Sequence, residues 1–218
     1  MKYLLSLILV LGSFSGFSQS KIYTGISGNY IHSEQNEIYT NTNAINREYH
    51  IGADIGFLYN SRSAAGIRIG YGDLLNTGNY WNTSRELTSY QVGVFWRKYY
   101  PLSEKIYFIL NTRADFTYSD GMYQTIGPVD QSVDNFNIIR DYQLNIQPTF
   151  AFMFSKHWSG EVVLGGVSYS NETESVSRSY NYLANEQPQK RENVNFDLTN
   201  VLPSIGITYY FGGNTFNK

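Results

Sequence analysis

The sequence contains no cysteine. That excludes disulfides, thiolate metal ligation, thiol nucleophiles and an N-terminal lipoprotein anchor. Charge is scarce too. Asp, Glu, Lys and Arg make up 16% of the 218 residues, well below the usual share in soluble domains. The formal net charge of −2 gives no electrostatic case for nucleic acid as a partner. After the first residues there is no apolar run approaching the roughly 20 residues that a membrane-spanning helix needs. A glycine-rich phosphate loop and metal-ligand spacing are both missing, so no metal and no cofactor is implied.

What the chain has is aromatics and alternation. Aromatic residues reach 17%, with 20 tyrosines. The start, MKYLLSLILVLGSFSGFSQS, carries one lysine, a short apolar run and small polar residues. It predicts a secretory signal peptide over residues 1–18, with Gly16 and Ser18 at the small-residue positions before cleavage at Gln19. Residues 19–218 then form the mature domain. Over most of that length the apolar period is two, which predicts strands.

Eight alternating segments can be traced. The first presents Ile22, Thr24, Ile26, Gly28 and Tyr30 on one face, and the second Tyr49, Ile51, Ala53, Ile55, Phe57 and Tyr59. Ala65, Ile67, Ile69 and Tyr71 mark the third; Tyr90, Val92, Val94 and Trp96 the fourth. The fifth runs from Ile106 to Tyr118 and the sixth from Tyr142 to Phe154. The seventh, over 159–169, has two readings. In one, Val162 and Leu164 face outward with Glu161 inside; in the other, Val163, Val167 and Tyr169 face outward. A β-bulge would reconcile them. The eighth is SIGITYYF, with Val201 and Pro203 extending its apolar row.

Short connections (60–63, 101–105, 155–158) alternate with long polar ones (33–48, 73–87, 119–141, 170–193). That pattern predicts an all-β fold, an eight-stranded antiparallel up-and-down transmembrane β-barrel with short turns at one end and long loops at the other. The second row of each strand supports it. His50, Gly52, Asp54, Gly56, Gly66, Arg68, Gly70, Gly72, Gly93 and Arg97 are polar or glycine. Glycine weakens a solvated strand, but in a narrow lumen it makes room for long side chains. Asp54, Arg68, Arg97, Arg113, Asp115 and Glu161 are therefore expected to pair in the lumen, because unpaired buried charge is costly. A filled lumen of this size excludes a general diffusion porin.

Tyr30, Tyr49, Tyr71, Tyr90, Tyr118 and Tyr142 each lie at the long-loop end of a strand, on the apolar row. They read as an aromatic girdle at one membrane interface. Tyr59, Tyr99, Phe154, Trp158, Tyr209 and Phe211 are candidates for the opposite girdle. Ten strand steps of ~3.3 Å from Tyr49 to Tyr59, tilted by ~45°, rise roughly 23 Å, which matches an apolar band of about 25 Å.

With these features the mature chain resembles the small outer-membrane β-barrel family of Gram-negative bacteria, the OmpX/OmpA-type eight-stranded barrels. The Tyr- and Asn-rich loops and Gln19 at the cleavage point resemble exported proteins of Bacteroidota. In such barrels the last strand carries alternate apolar residues and ends on an aromatic, and the outer-membrane assembly machinery recognises it by strand pairing. Ile205, Ile207, Tyr209 and Phe211 match that C-terminal assembly signal, and residues 212–218 follow as a short periplasmic tail. The resemblance implies outer-membrane lipid, the assembly machinery and periplasmic chaperones as partners. It also implies a structural or surface-interaction role through the long loops, whose extracellular ligand is unknown. No catalytic site is assigned. Some small outer-membrane barrels modify lipid A, and the alternative is such a deacylase or acyltransferase. His157 and Ser159 superficially resemble the deacylase pairing but fall at a short turn, the wrong end for lipid A. His32 and His50 lie at the other end.

Overall fold

A computed structural model describes residues 21–37, 42–78, 83–126, 132–178, 188–196 and 204–211. The expected signal peptide, Val201, Pro203 and the tail at 212–218 lie outside the described residues. The described residues form ten strands: β1 (Lys21–Glu37), β2 (Thr42–Asn60), β3 (Ser63–Gly78), β4 (Thr83–Pro101), β5 (Ile106–Ile126), β6 (Ser132–Met153), β7 (Trp158–Val163), β8 (Val167–Arg178), β9 (Gln189–Phe196) and β10 (Ser204–Tyr210). Each of β1 to β6 pairs antiparallel with the next. β7 pairs with β6 and β10. β10 then pairs with β1, from Tyr23↔Tyr210 to Gly28↔Ile205, and closes an eight-strand ring. Closure removes the edges of that ring, whereas β9 pairs only with β8 among the described strands.

The strand count exceeds eight because the last two staves are divided. Thr149 stands opposite Val163, whereas Ile146 stands opposite Val167. Leu164, Gly165 and Gly166 therefore face only Gln147 and Pro148, which is a β-bulge. Pro148 has no N–H to contribute to the ladder, and such a residue is tolerated at bulges; its carbonyl accepts from the Leu164 N–H at 3.0 Å. A Cβ at Gly166 would run into the Ile146 carbonyl. The bulge shifts the facing by one residue. Glu161 is buried inside and Val162 exposed outside below it, while Tyr169 is exposed outside above it. Each of the two sequence readings of this strand holds for one half.

The long loops expected at 33–48, 73–87, 119–141 and 170–193 are a point of correction. β1 runs on to Glu37 and β2 starts at Thr42; the same holds at Gly78/Thr83 and Ile126/Ser132. β8 and β9 continue as a pair from Val167↔Phe196 to Glu174↔Gln189. Most of each polar stretch is thus paired hairpin that extends the wall. Polar residues enter both rows there, and backbone pairing needs no apolar residue.

Outside and inside are inverted relative to a soluble protein. Ile26 is 64% and Ile205 65% exposed on the outer face, with Ile51, Ile55, Ile67, Ile69, Val92, Val94 and Ile207 similarly exposed. Asp54, Arg68, Arg97, Asp115 and Glu161 are buried inside.

Candidate functional site

The lumen is filled in layers. At the short-turn end the inward side chains are large: Tyr23, Phe95, Tyr99, Tyr107 and Tyr210, with Leu58, Ile109 and Met153, form one buried apolar cluster. Tyr23 packs against Tyr210 (ring centroids 5.6 Å) and Phe95 (6.0 Å). Glycines admit these rings. A Cβ at Gly56 would lie 2.6 Å from the Tyr23 ring, and one at Gly66 would lie 2.5 Å from Phe95. Tyr99 is therefore not part of an outer girdle. The parity of Trp96 on β4 sends Tyr99 inward, and Tyr100 is the exposed aromatic at that level. Tyr23, Phe95 and Tyr107 were missed from sequence because the inner row was read only for polar residues. Their odd parity next to Ile22, Trp96 and Ile106 already placed them inside.

Above the aromatics lies an ion-pair layer. Asp54 accepts from Arg97 Nη2 at 2.8 Å and from Arg68 Nη1 at 3.3 Å. Arg97 Nη1 donates to both Glu161 oxygens at 3.1–3.2 Å. The Thr208 hydroxyl donates to Glu161 at 2.7 Å, and Arg68 donates to Ser27 at 3.1 Å. The chain of bonds thus crosses the lumen through β1, β3, β2, β4, β7 and β10. Arg97 also stacks over Phe95 (5.1 Å) and Tyr23 (5.4 Å), joining the two layers by cation–π contact. Arg113 and Asp115 sit beside this network. Their closest approach, Nε to Oδ2, is 3.8 Å, and Asp115 accepts from Asn145 at 3.3 Å. A Cβ at Gly52 would overlap the Arg68 guanidinium and one at Gly93 the Asp115 carboxylate. The six charged residues named from sequence therefore gather in one region.

The lumen is not filled throughout. A chamber of about 350 Å³ lies beside the ion-pair layer, toward the long-hairpin end, with His50, Gln91, Asn111, Arg113 and Gln147 in its wall. Farther out, Arg85 and Glu174 meet across the mouth at 3.5 Å, between β4 and β8. Glu174 is buried there with Asn137, which donates to it at 3.2 Å. Arg191 of β9 adds a 3.0 Å contact to the same carboxylate.

On the outer face, Tyr30 stands opposite Tyr49, and Tyr71, Tyr90 and Tyr118 stand in one cross-strand row. Tyr49–Tyr71 and Tyr71–Tyr90 ring centroids are 6.1 and 5.7 Å apart. Tyr142 packs on Phe116 at 5.0 Å. At the other end, Trp96 donates its indole N–H to Tyr59 at 2.6 Å, and Trp158, Tyr209 and Phe211 pack in sequence. Ile205 and Ile207 are exposed on β10, and the Phe211 N–H donates to the Ile22 carbonyl at 2.8 Å.

His157 and Ser159 are not hydrogen-bonded to each other. The His157 ring stacks on Tyr209 and shares a hydrogen bond with the Tyr210 carbonyl through Nδ1 at 3.0 Å. Ser159 is fully buried on the lumen side. His32 stacks on Tyr30 at 6.3 Å, while His50 faces the chamber. Among the described residues no cluster of His, Asp and Glu could hold a metal ion.

No family model matches the sequence, and no curated protein matches it. Among solved structures the chain is similar to a major outer membrane protein from Thermus thermophilus, at 12% identity over 88% of this chain and 99% of that one, with a TM-score of 0.48. It is also similar to the β domain of the Bordetella autotransporter BrkA, at 11% identity over 88% and 98%, with a TM-score of 0.30. At these scores the assignment of the fold stands on the strand pairing itself: an all-β, antiparallel ring of eight strands, closed between β1 and β10.

Proposed function

We propose that this chain is an integral protein of a bacterial outer membrane, a lipid-embedded barrel whose role is structural or surface-interactive. One observation carries the reading: the ring exposes its apolar residues and buries its charges. In water, so large a band of exposed Ile, Val and aromatic residues would be a liability. Against lipid it is required, since only closed barrels and helices satisfy every backbone group there. The tyrosine row at the long-hairpin end and the Tyr59, Trp158 and Phe211 group at the other fit the two polar–apolar boundaries.

In this reading the long hairpins rise from the cell surface and the short turns face the periplasm. The aromatic and ion-pair layers close the lumen, so the barrel is not a general porin. β10, with Ile205, Ile207, Tyr209 and Phe211, is the strand that the assembly machinery recognises after periplasmic chaperones deliver the chain. The His157 contacts give no support to a lipid-modifying enzyme.

Membrane extraction tests the placement. The protein should require detergent and should migrate faster on gels unheated than boiled; a detergent-free soluble monomer would refute it. Planar-bilayer recording tests closure: large, stable currents from the refolded protein would overturn the closed lumen.

A further inference from the structure

The chamber above the ion-pair layer is not needed to close the barrel. We propose that it is a binding site for a small carboxylate, anchored by the Arg113 guanidinium and reached from the long-hairpin end. Three guanidiniums line it, those of Arg68, Arg97 and Arg113, with His50 beside them. Arg68 and Arg113 stand close enough to act on each other. Two guanidiniums so placed favour an anion beside whichever of them a carboxylate does not already neutralise.

The three differ in what neutralises them. Arg68 is bonded to Asp54 and Ser27. Arg97, at the floor, is bonded to Asp54 and Glu161. Arg113 makes no hydrogen bond among the described residues, and its one ion pair, to Asp115, spans 3.8 Å. It is the cation with most left to give.

Buried amides complete the wall. Asn111 is 3% exposed and lines the chamber, and its side-chain oxygen has no hydrogen-bond partner among the described residues. The Gln147 side-chain oxygen, also in the wall, is in the same position. These oxygens accept and so call for a donor; with the amide turned over, its NH2 takes their place and meets a ligand carboxylate oxygen. Asp54 and Glu161 also border the space but are engaged by Arg68 and Arg97. Glu48, two residues beyond His50 toward the hairpins, adds negative charge to the wall. It disfavours polyanions and restricts the site to a singly charged ligand. The volume is near the lower limit of ligand pockets, about 300 Å³, which restricts it to a small one. The closed floor makes this a binding site without a through-path.

The test uses the refolded full-length mature protein in detergent micelles, titrated with sodium acetate, glucose and choline chloride while the side-chain amide NMR signals of Asn111 and Gln147 are followed. Acetate should shift them saturably, and glucose and choline should not. Arg113→Gln should weaken acetate binding about tenfold or more, the loss expected for one charge-assisted hydrogen bond. Gln147→Phe, which fills the space from another strand, should abolish it as read from the Asn111 signal. Faster migration of unheated samples shows that each variant retains the ring. An unsaturable response to acetate in the parent protein, equal binding by Arg113→Gln, or an equal response to glucose would overturn the proposal.

Discussion

Replacing Arg97 tests how the lumen is held. Its guanidinium is bonded to Asp54 at 2.8 Å and Glu161 at 3.1 Å, and all three side chains are only 5–6% exposed. Arg97→Met keeps the volume and removes the charge. Glu161 is then left with Thr208 alone, and Asp54 with Arg68. Breaking a buried pair by removing one partner costs about 3–5 kcal/mol, mostly because the remaining ion is uncompensated. The two ring contacts at 5.1 and 5.4 Å are lost as well, adding about 1 kcal/mol. The single variant should therefore be ~4–6 kcal/mol less stable.

The companion variant Glu161→Gln removes the stranded charge while its amide still accepts from Thr208. Arg97→Met with Glu161→Gln should recover ~2–3 kcal/mol of the loss, since replacing both partners of a buried pair is far less costly than removing one. Urea unfolding of protein refolded into lipid vesicles, followed by Trp fluorescence and unheated gel migration, measures the four corners of this cycle. A single variant costing under about 1 kcal/mol, or a coupling energy near zero, would refute the claim that these charges are desolvated and mutually dependent.

Gly56→Ala places a Cβ 2.6 Å from the Tyr23 ring; it should cost ~1–3 kcal/mol in the same unfolding assay, and Tyr23→Leu in the same chain should restore part of it. His157→Ala removes the hydrogen bond to the Tyr210 carbonyl that helps hold β10; a loss of ~0.5–1.5 kcal/mol is expected, with no change in lipid A mass spectra on expression. Phe211→Ser should impair assembly into membranes of living cells while leaving detergent refolding intact, whereas deletion of residues 212–218 should leave both intact. Cellular fractionation and refolding yields distinguish these outcomes, and loss of assembly on deletion would mean that the assembly signal extends past Phe211.

The outer face was legible because one rule governs it: every second residue points out of the ring and is apolar. Ile26, Ile67, Val94 and Ile207 obey that rule, and so do the tyrosines at the long-hairpin end. The inward charges were legible from the same parity together with the glycines that clear space for Arg68 and Asp115. Three things were harder. Tyr23, Phe95 and Tyr107 break the expectation of a polar inner row, because a narrow lumen can be closed by any side chain of sufficient volume. The hairpin extensions carry no apolar alternation, so residues such as Arg85 and Glu174 read as loop although their backbones are paired. Which of two parities held along β7 and β8 depended on the bulge at Leu164–Gly166, and that follows from tertiary pairing with Pro148.

The same volume argument explains why the barrel is closed at one level and hollow at another. An eight-stranded ring has nearly constant circumference, so what fills its axis is set by the inward side chains. Near the short turns these are Tyr23, Phe95, Tyr99, Tyr107 and Tyr210, long enough to meet one another. One step outward, Arg68 and Arg97 meet Asp54, and Arg97 meets Glu161, through charge instead. At the chamber the inward positions include Ser27, Ser89, Thr117 and Ser204, too short to reach the axis, with the longer Gln91 and Gln147 among them. Enlarging those short residues, for instance Ser89→Phe, should fill the chamber at little cost in stability and without changing closure, whereas reducing Tyr23 and Phe95 to alanine should open the floor. Single-channel recording of the two variants separates a lumen closed by its floor from one closed throughout: new conductance is expected only from the second, and its absence would show that the ion-pair layer seals the barrel unaided.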